Sequence, residues 1–330
     1  MKKNGFSRTS LFIALSLAMT LTACGGGGGG STATSSGTGT SSSSTSSTLS
    51  SPQYASGSAQ LAAFNQVNTM RQQCGFPALS ENTLLDVAAV NHLTYMGDNK
   101  YLGHSETSGN AGYTGATPQA RASAVGYTGN AGEVFLADTT NIGGTLAVIG
   151  LASLPYHEDV LFSPTSDIGI GYQSLVFGPS TTYYTLEAML GYTGAGSQLS
   201  GTPLTFPCQG TTGVDYESHG AEDPTPYING QPVNLQTNPI GTPVAIVGNL
   251  SDTIVLNSGV MTDSLGNQTS LNLLDSGNDP NQALAPYVAE AFPTSPLQPN
   301  TTYSATITGT DNGTAFSRNF SFTTGNQGQF

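Results

Sequence analysis

The sequence predicts an α+β domain followed by an all-β sandwich, and three patterns carry that prediction. Apolar residues recur at helical spacing in stretches between Leu61 and Leu154. Strand-like runs rich in β-branched and aromatic residues follow, within DIGIGYQSLVFG and TTYYTLEAMLGY. Beyond about Thr211 the chain holds only short strand patterns between turn residues. Helices first and strands late around one core give an α+β domain ending near Cys208, and the all-β remainder gives the sandwich.

Each element has its own warrant. In LAAFNQVNTMR, Leu61, Phe64, Val67 or Asn68, and Met70 or Arg71 fall on helical spacing, and Gly75 and Pro77 stop the helix. A second helix runs from about Glu81 to Gly97, with Ser80 or Asn82 as its cap. The loop YLGHSETSGNAGYTG comes next. Thr117 then caps a third helix, whose first position tolerates Pro118. A fourth covers Gly144 to Leu154, and the two long strands complete a domain over 52–212. A segment over 213–224 reads as a linker. In TTYSATITGTDNGTAFSRNFSFTTG, Tyr303, Ala305 and Ile307 alternate with polar residues, and Asp311-Asn312-Gly313 turns the chain back through Phe316, Phe320 and Phe322. With Pro299 and Tyr303 placed as at a sandwich corner, 225–330 reads as an immunoglobulin-like β-sandwich.

The N-terminus reads as an address. MKKNGFSR is basic, SLFIALSLAMTL is apolar but too short for a membrane span, and small residues follow. Leu21-Thr22-Ala23-Cys24 resembles the bacterial lipobox, which makes Cys24 the expected acylated first residue of the mature chain. Acyl chains there would hold the protein at a membrane. Gly25 in the next position, where an aspartate would favour the inner membrane, points to an outer-membrane lipoprotein of the cell envelope, facing the periplasm or the surface. Residues 25–51, almost all glycine, serine and threonine, cannot bury enough apolar surface to order themselves. They read as a tether spanning about 30 Å.

Charge and cysteines narrow the setting. All 20 acidic residues lie after Cys24, against only Arg71, Lys100, Arg121 and Arg318. That balance excludes nucleic-acid binding through a basic face and disfavours charge attraction to anionic lipid. Apart from Cys24, two cysteines remain, and in an exported chain Cys74 and Cys208 pair most simply with each other. Closing so long a loop contributes about 4–5 kcal/mol in the chain-entropy model.

Four histidines could carry chemistry. His92 lies in the second helix, where packing or capping accounts for it, and His219 lies in the linker. His104 and His157 sit beside loops of turn residues, in GHSETSG and LPYHEDVLFSP, and Glu133 follows a glycine in NAGEVFLAD. No HExxH, no nucleophile elbow and no nucleotide loop is present, so spacing alone does not join these residues into a site.

The order of segments does more. FNQVNTMRQQCGFPALSENTLLDVAAVNHLTYM, GHSE, GYTGATPQARASAVGY, GEVF and SLPYHEDVLFSPTSDIGIGY, spread over Leu61 to Gly194, together resemble the CAP superfamily (cysteine-rich secretory proteins, antigen 5, pathogenesis-related 1) in its bacterial SCP-domain form. The resemblance implies an αβα sandwich with a cleft lined by two histidines and one or two glutamates. His104 matches the first histidine, Glu133 the glutamate after glycine, and His157 the second histidine. The family's other glutamate precedes the last histidine on a helix, beside a tryptophan. Here that stretch reads AVIGLASLPYH, without an acid, with Leu151 at the tryptophan position, and the chain has no tryptophan. Glu106 and Glu158 are the candidates to replace it.

His104, His157 and Glu133 could bind zinc or another divalent metal with a position open for water, or could grip a ligand's polar group. No nucleophile is evident, so a binding module is favoured over a hydrolase. The expectation is a small, lipid-like or sterol-like ligand, or an envelope or host protein, in the cleft. A metal-assisted hydrolase and a structural surface protein with a vestigial cleft are the alternatives.

Overall fold

The computed structural model describes residues 48–218 and 220–326. The expected signal segment, Cys24, the tether up to residue 47 and His219 lie outside the described residues. The described part begins on the first domain: Thr48 bridges to Asn82, and its hydroxyl donates to Asp167 Oδ1 at 3.1 Å.

The first domain runs α1 (Ala59–Gln73), β1 (Ser80–Glu81), α2 (Thr83–Asn99), α3 (Pro118–Ala124), β2 (Asn130–Asp138), α4 (Gly143–Leu151), α5 (Pro155–Phe162), β3 (Asp167–Phe177) and β4 (Thr181–Tyr192). The expected caps are in place: Asn82 accepts the Leu84 N–H at 3.1 Å and Thr117 accepts the Ala120 N–H at 3.2 Å. The four strands pair in the order β1-β3-β4-β2, with β1 and β3 parallel and the rest antiparallel.

Alternation along the strands gives the sheet two apolar faces. Val134, Leu186, Ala188 and Leu190 share a core with α1, α4 and α5. Met189 packs on the other side with Leu85, Ala88 and Ala89 of α2 and Ala122 of α3. The result is an αβα sandwich. Arg71, fully buried, ties the layer together: it donates to the carbonyls of Pro77, Leu161 and Ser163 and so holds the end of α5 against α1. The sequence patterns do not separate α5, since they place Pro155–Phe162 in loop after the fourth helix.

The second region is all-β. β5 (Leu204–Phe206), β6 (Thr212–Val214), β9 (Val244–Val247), β10 (Ile254–Asp263), β11 (Gln268–Asp275), β12 (Val288–Pro293), β13 (Thr302–Asp311) and β14 (Thr314–Thr324) pair in the order β5-β9-β12-β11-β10-β13-β14-β6, while β7 (Tyr227–Ile228) and β8 (Gln231–Pro232) form a separate hairpin. Tyr303, Ala305 and Ile307 are buried as their alternation requires, and the Tyr303 hydroxyl accepts the Gln298 N–H at 2.8 Å at the expected corner. Two strands from earlier in the chain join this sheet. β5 lies inside the span 52–212 and β6 crosses its end, yet they pair with β9 and β14.

The two regions share one apolar core, with α5 packed against β9 and β12 as well as β2. Cys74, at the end of α1, is disulfide-bonded to Cys208, just after β5, with Cα atoms 5.4 Å apart. The bond therefore links the helical layer to the start of the all-β region. Among the described residues no helix is long and apolar enough to cross a membrane.

Candidate functional site

β2 is an edge strand, and the cleft runs along it. One of its two cavities is lined by Phe135, Leu136, Ala137 and Asp138 of this strand and the other by Gly132 and Glu133. Three expected residues meet here. His104, in the loop after α2, donates from Nδ1 to Glu133 Oε1 at 2.9 Å. Its ring lies edge-on to Phe135 and 5.7 Å, centre to centre, from the ring of His157 on α5.

His157 has a carboxylate partner of its own. Its Nδ1 donates to Glu222 Oε2 at 3.1 Å, while Glu222 Oε1 accepts the Tyr156 N–H at 3.0 Å. Leu154, the residue preceding α5, makes no side-chain cap, so Glu222 also satisfies an open N–H at the start of that helix. Glu222 comes from the segment expected to be a bare linker. The sequence offers one faint signal for it, an acidic pair in SHGAEDPTP. That pair lies after His157, whereas the family pattern places its second acid before the last histidine.

Glu106 occupies a different place. It is buried, lies 3.0 Å from His92 Nδ1, and accepts the backbone N–H groups of Thr114 and Gly115 at 2.6 and 3.1 Å. It therefore pins the His104 loop and does not line the cleft cavities. His92 is fully buried, with Nε2 3.0 Å from the Gly103 carbonyl oxygen, and burial holds it below the usual imidazole range. Glu158 is fully buried against Glu290 of β12, and burial raises both well above the ordinary carboxyl range.

Behind Glu133 lies a polar cluster that spacing does not reveal. Arg121 of α3, fully buried, donates to Glu133 Oε2 and to the Gly115 carbonyl at 3.3 Å. Burial opposes charge on Glu133, but the His104 hydrogen bond and the Arg121 guanidinium pull it down to about 2. Glu187 of β4, equally buried, is raised well above the usual range by burial and by the charge of Glu133. The one available clue was an arginine in a helix of a chain with so few basic residues.

Residues 64–172 match the family model of the cysteine-rich secretory protein family, CAP. This chain carries a CAP domain. The matched span contains His104, Glu133 and His157 and ends before Glu222. Two solved structures are similar over 41% of this chain. One is an outer surface protein from Borrelia burgdorferi, at 17% identity and a TM-score of 0.34, with 93% of that chain covered. The other is an extracellular protein containing a SCP domain from Bacillus anthracis str. Ames, at 20% identity and a TM-score of 0.33, with 40% of that chain covered. No curated protein matches the chain.

The CAP-domain cleft does not offer a full metal-ligand set. A catalytic zinc takes three protein ligands, and His104 and His157 supply two nitrogens. Both Glu133 oxygens are engaged, by His104 and Arg121, and both Glu222 oxygens by His157 and the Tyr156 N–H. His92, Glu133 and Glu187 also lie within ligand distance of one another, but both His92 nitrogens are hydrogen-bonded and the Arg121 guanidinium already neutralises that cluster. Among the described residues His104 and His157 thus have no third ligand atom in reach of both, and the His92, Glu133 and Glu187 group is buried with the Arg121 guanidinium already beside it.

Proposed function

We propose that this protein is an exported, lipid-anchored component of the cell envelope whose CAP cleft binds a small amphipathic ligand. The observation that carries the binding reading is the imidazole pair. His104 and His157 lie ring to ring, each steadied by its own carboxylate, at the boundary of two cavities of about 410 and 360 Å³. The larger is within the range of ligand pockets. Leu102, Phe135 and Leu154 give it an apolar wall, and His104, His157 and Asp138 a polar one. Export is supported by the signal-like N-terminus, the Cys74–Cys208 bond and the secretory family to which the domain belongs. The Leu21–Cys24 motif supports anchoring at a membrane.

A metal-assisted hydrolase would use the same histidines, and the shortage of ligands weighs against it. A vestigial cleft would have no need to keep four polar groups in paired geometry. The test is to isolate the full chain from native membranes and extract bound small molecules for mass spectrometry, with His104→Ala/His157→Ala alongside. The expected result is one amphipathic compound held near stoichiometrically by the wild type and absent from the variant. An identical extract from both proteins would contradict cleft binding.

A further inference from the structure

We infer that the cleft selects an amphiphile with a cationic, ammonium-type head; this rests on the binding reading above and deepens it. Two hydrogen bonds orient the imidazoles. A carboxylate has no hydrogen to donate, so His104 and His157 each carry the ring hydrogen on Nδ1, facing Glu133 and Glu222. The other nitrogen of each neutral ring, Nε2, is then an acceptor. Neither Nε2 has a protein partner among the described residues, and both rings line both cavities. His157 is only 5% exposed, so its unpartnered nitrogen has the cavity and little else to bond with. The buried His157 ring, with the partly exposed His104 ring beside it, thus presents acceptors that suit a ligand that donates hydrogen bonds.

Charge narrows the donor further. Asp223, carried by the segment that crosses the cleft beside Glu222, lines both cavities, and Asp138 lines the larger. Among the described residues no lysine or arginine lines either one. The Arg121 guanidinium lies behind Glu133 and is spent on it. A carboxylate or phosphate head would meet acceptors and like charge and find no donor. A hydroxyl would satisfy the imidazoles and leave the aspartates unused. An ammonium satisfies both, and its apolar body has Leu102, Phe135 and Leu154 to lie against.

The experiment uses the purified full chain at about pH 8, above the titration range of an ordinary imidazole, in EDTA and at moderate salt. Octylamine, 1-octanol and octanoate share one apolar tail and differ in the head, and their binding is measured by calorimetry. Octylamine is expected to bind at least about tenfold more tightly than octanol, with octanoate weakest. Asp223→Asn should reduce the octylamine preference to about threefold or less, and His157→Ala should weaken octylamine about tenfold. Equal binding of the three probes, or a preference for octanoate, would overturn head-group selection and leave cleft binding standing. Octylamine binding unchanged in His157→Ala would place the amine elsewhere and overturn the inference as well. Failure of all three probes to bind would overturn both the inference and the reading beneath it.

Discussion

At Arg121 a guanidinium without solvent contact holds the charge of the buried side of the cleft. It bonds Glu133, lies 3.9 Å from Glu106 through Nε, and lowers the cost of the nearby Glu187. Removing one partner of a buried pair is costly because the remaining charge loses its compensation while still buried. Arg121→Ala is therefore expected to lower stability by about 3–5 kcal/mol in urea denaturation. An effect within about 0.5 kcal/mol, the range of an ordinary surface change, would show that Glu133 does not depend on this cation. At this scale the sequence was partly legible. His104, Glu133 and His157 stood out by residue type and order, and the structure brings them to one cleft. Arg121 and Glu187 did not, because a buried charge is recognisable only from what surrounds it.

Among the elements, the contact of α2 with β3 sets the depth at which His92 and the following loop sit. The strand reads DIGIGY, and a Cβ at Gly169 would stand 2.2 Å from the backbone of Leu85 and Asp86 in α2. The glycine is there for close approach, and a side chain would push helix and strand apart. Gly169→Ala is expected to cost about 1–3 kcal/mol or more. Gly132→Ala, whose Cβ would meet Val160 at an ordinary 3.6 Å, should stay within about 0.5 kcal/mol; paired thermal or urea unfolding of the two variants checks the contrast, and equal losses would refute it.

α5 is hidden in the sequence for a physical reason. Nearly every residue from Pro155 to Phe162 is buried, including His157, Glu158 and Asp159, because the helix is enclosed by β2, β9 and β12. A helix covered on all sides has no polar face, and so no amphipathic period to read. The longer helices, each with one wet face, are legible to within a few residues of their ends.

For the whole molecule, α5 is where the CAP domain, the segment after it and the all-β region meet. Three consecutive residues show this: the Tyr156 hydroxyl donates to Asp279 Oδ1 at 2.7 Å, His157 bonds Glu222, and Glu158 abuts Glu290. The site is thus completed from outside the matched CAP span. Composition made residues 213–224 look like a connection, and nothing local could reveal a bond between positions 65 residues apart. The measurement that bears most directly on this account is the tautomer of each cleft histidine, read from imidazole ¹⁵N shifts of the full chain at about pH 8, where an ordinary imidazole is neutral. His104 and His157 should both carry the hydrogen on Nδ1. Glu222→Met should move His157 to the Nε2–H form and leave His104 unchanged, while Glu222→Gln, which keeps an acceptor, should retain the wild-type tautomer. A wild-type His157 already in the Nε2–H form, or one indifferent to Glu222→Met, would contradict the account.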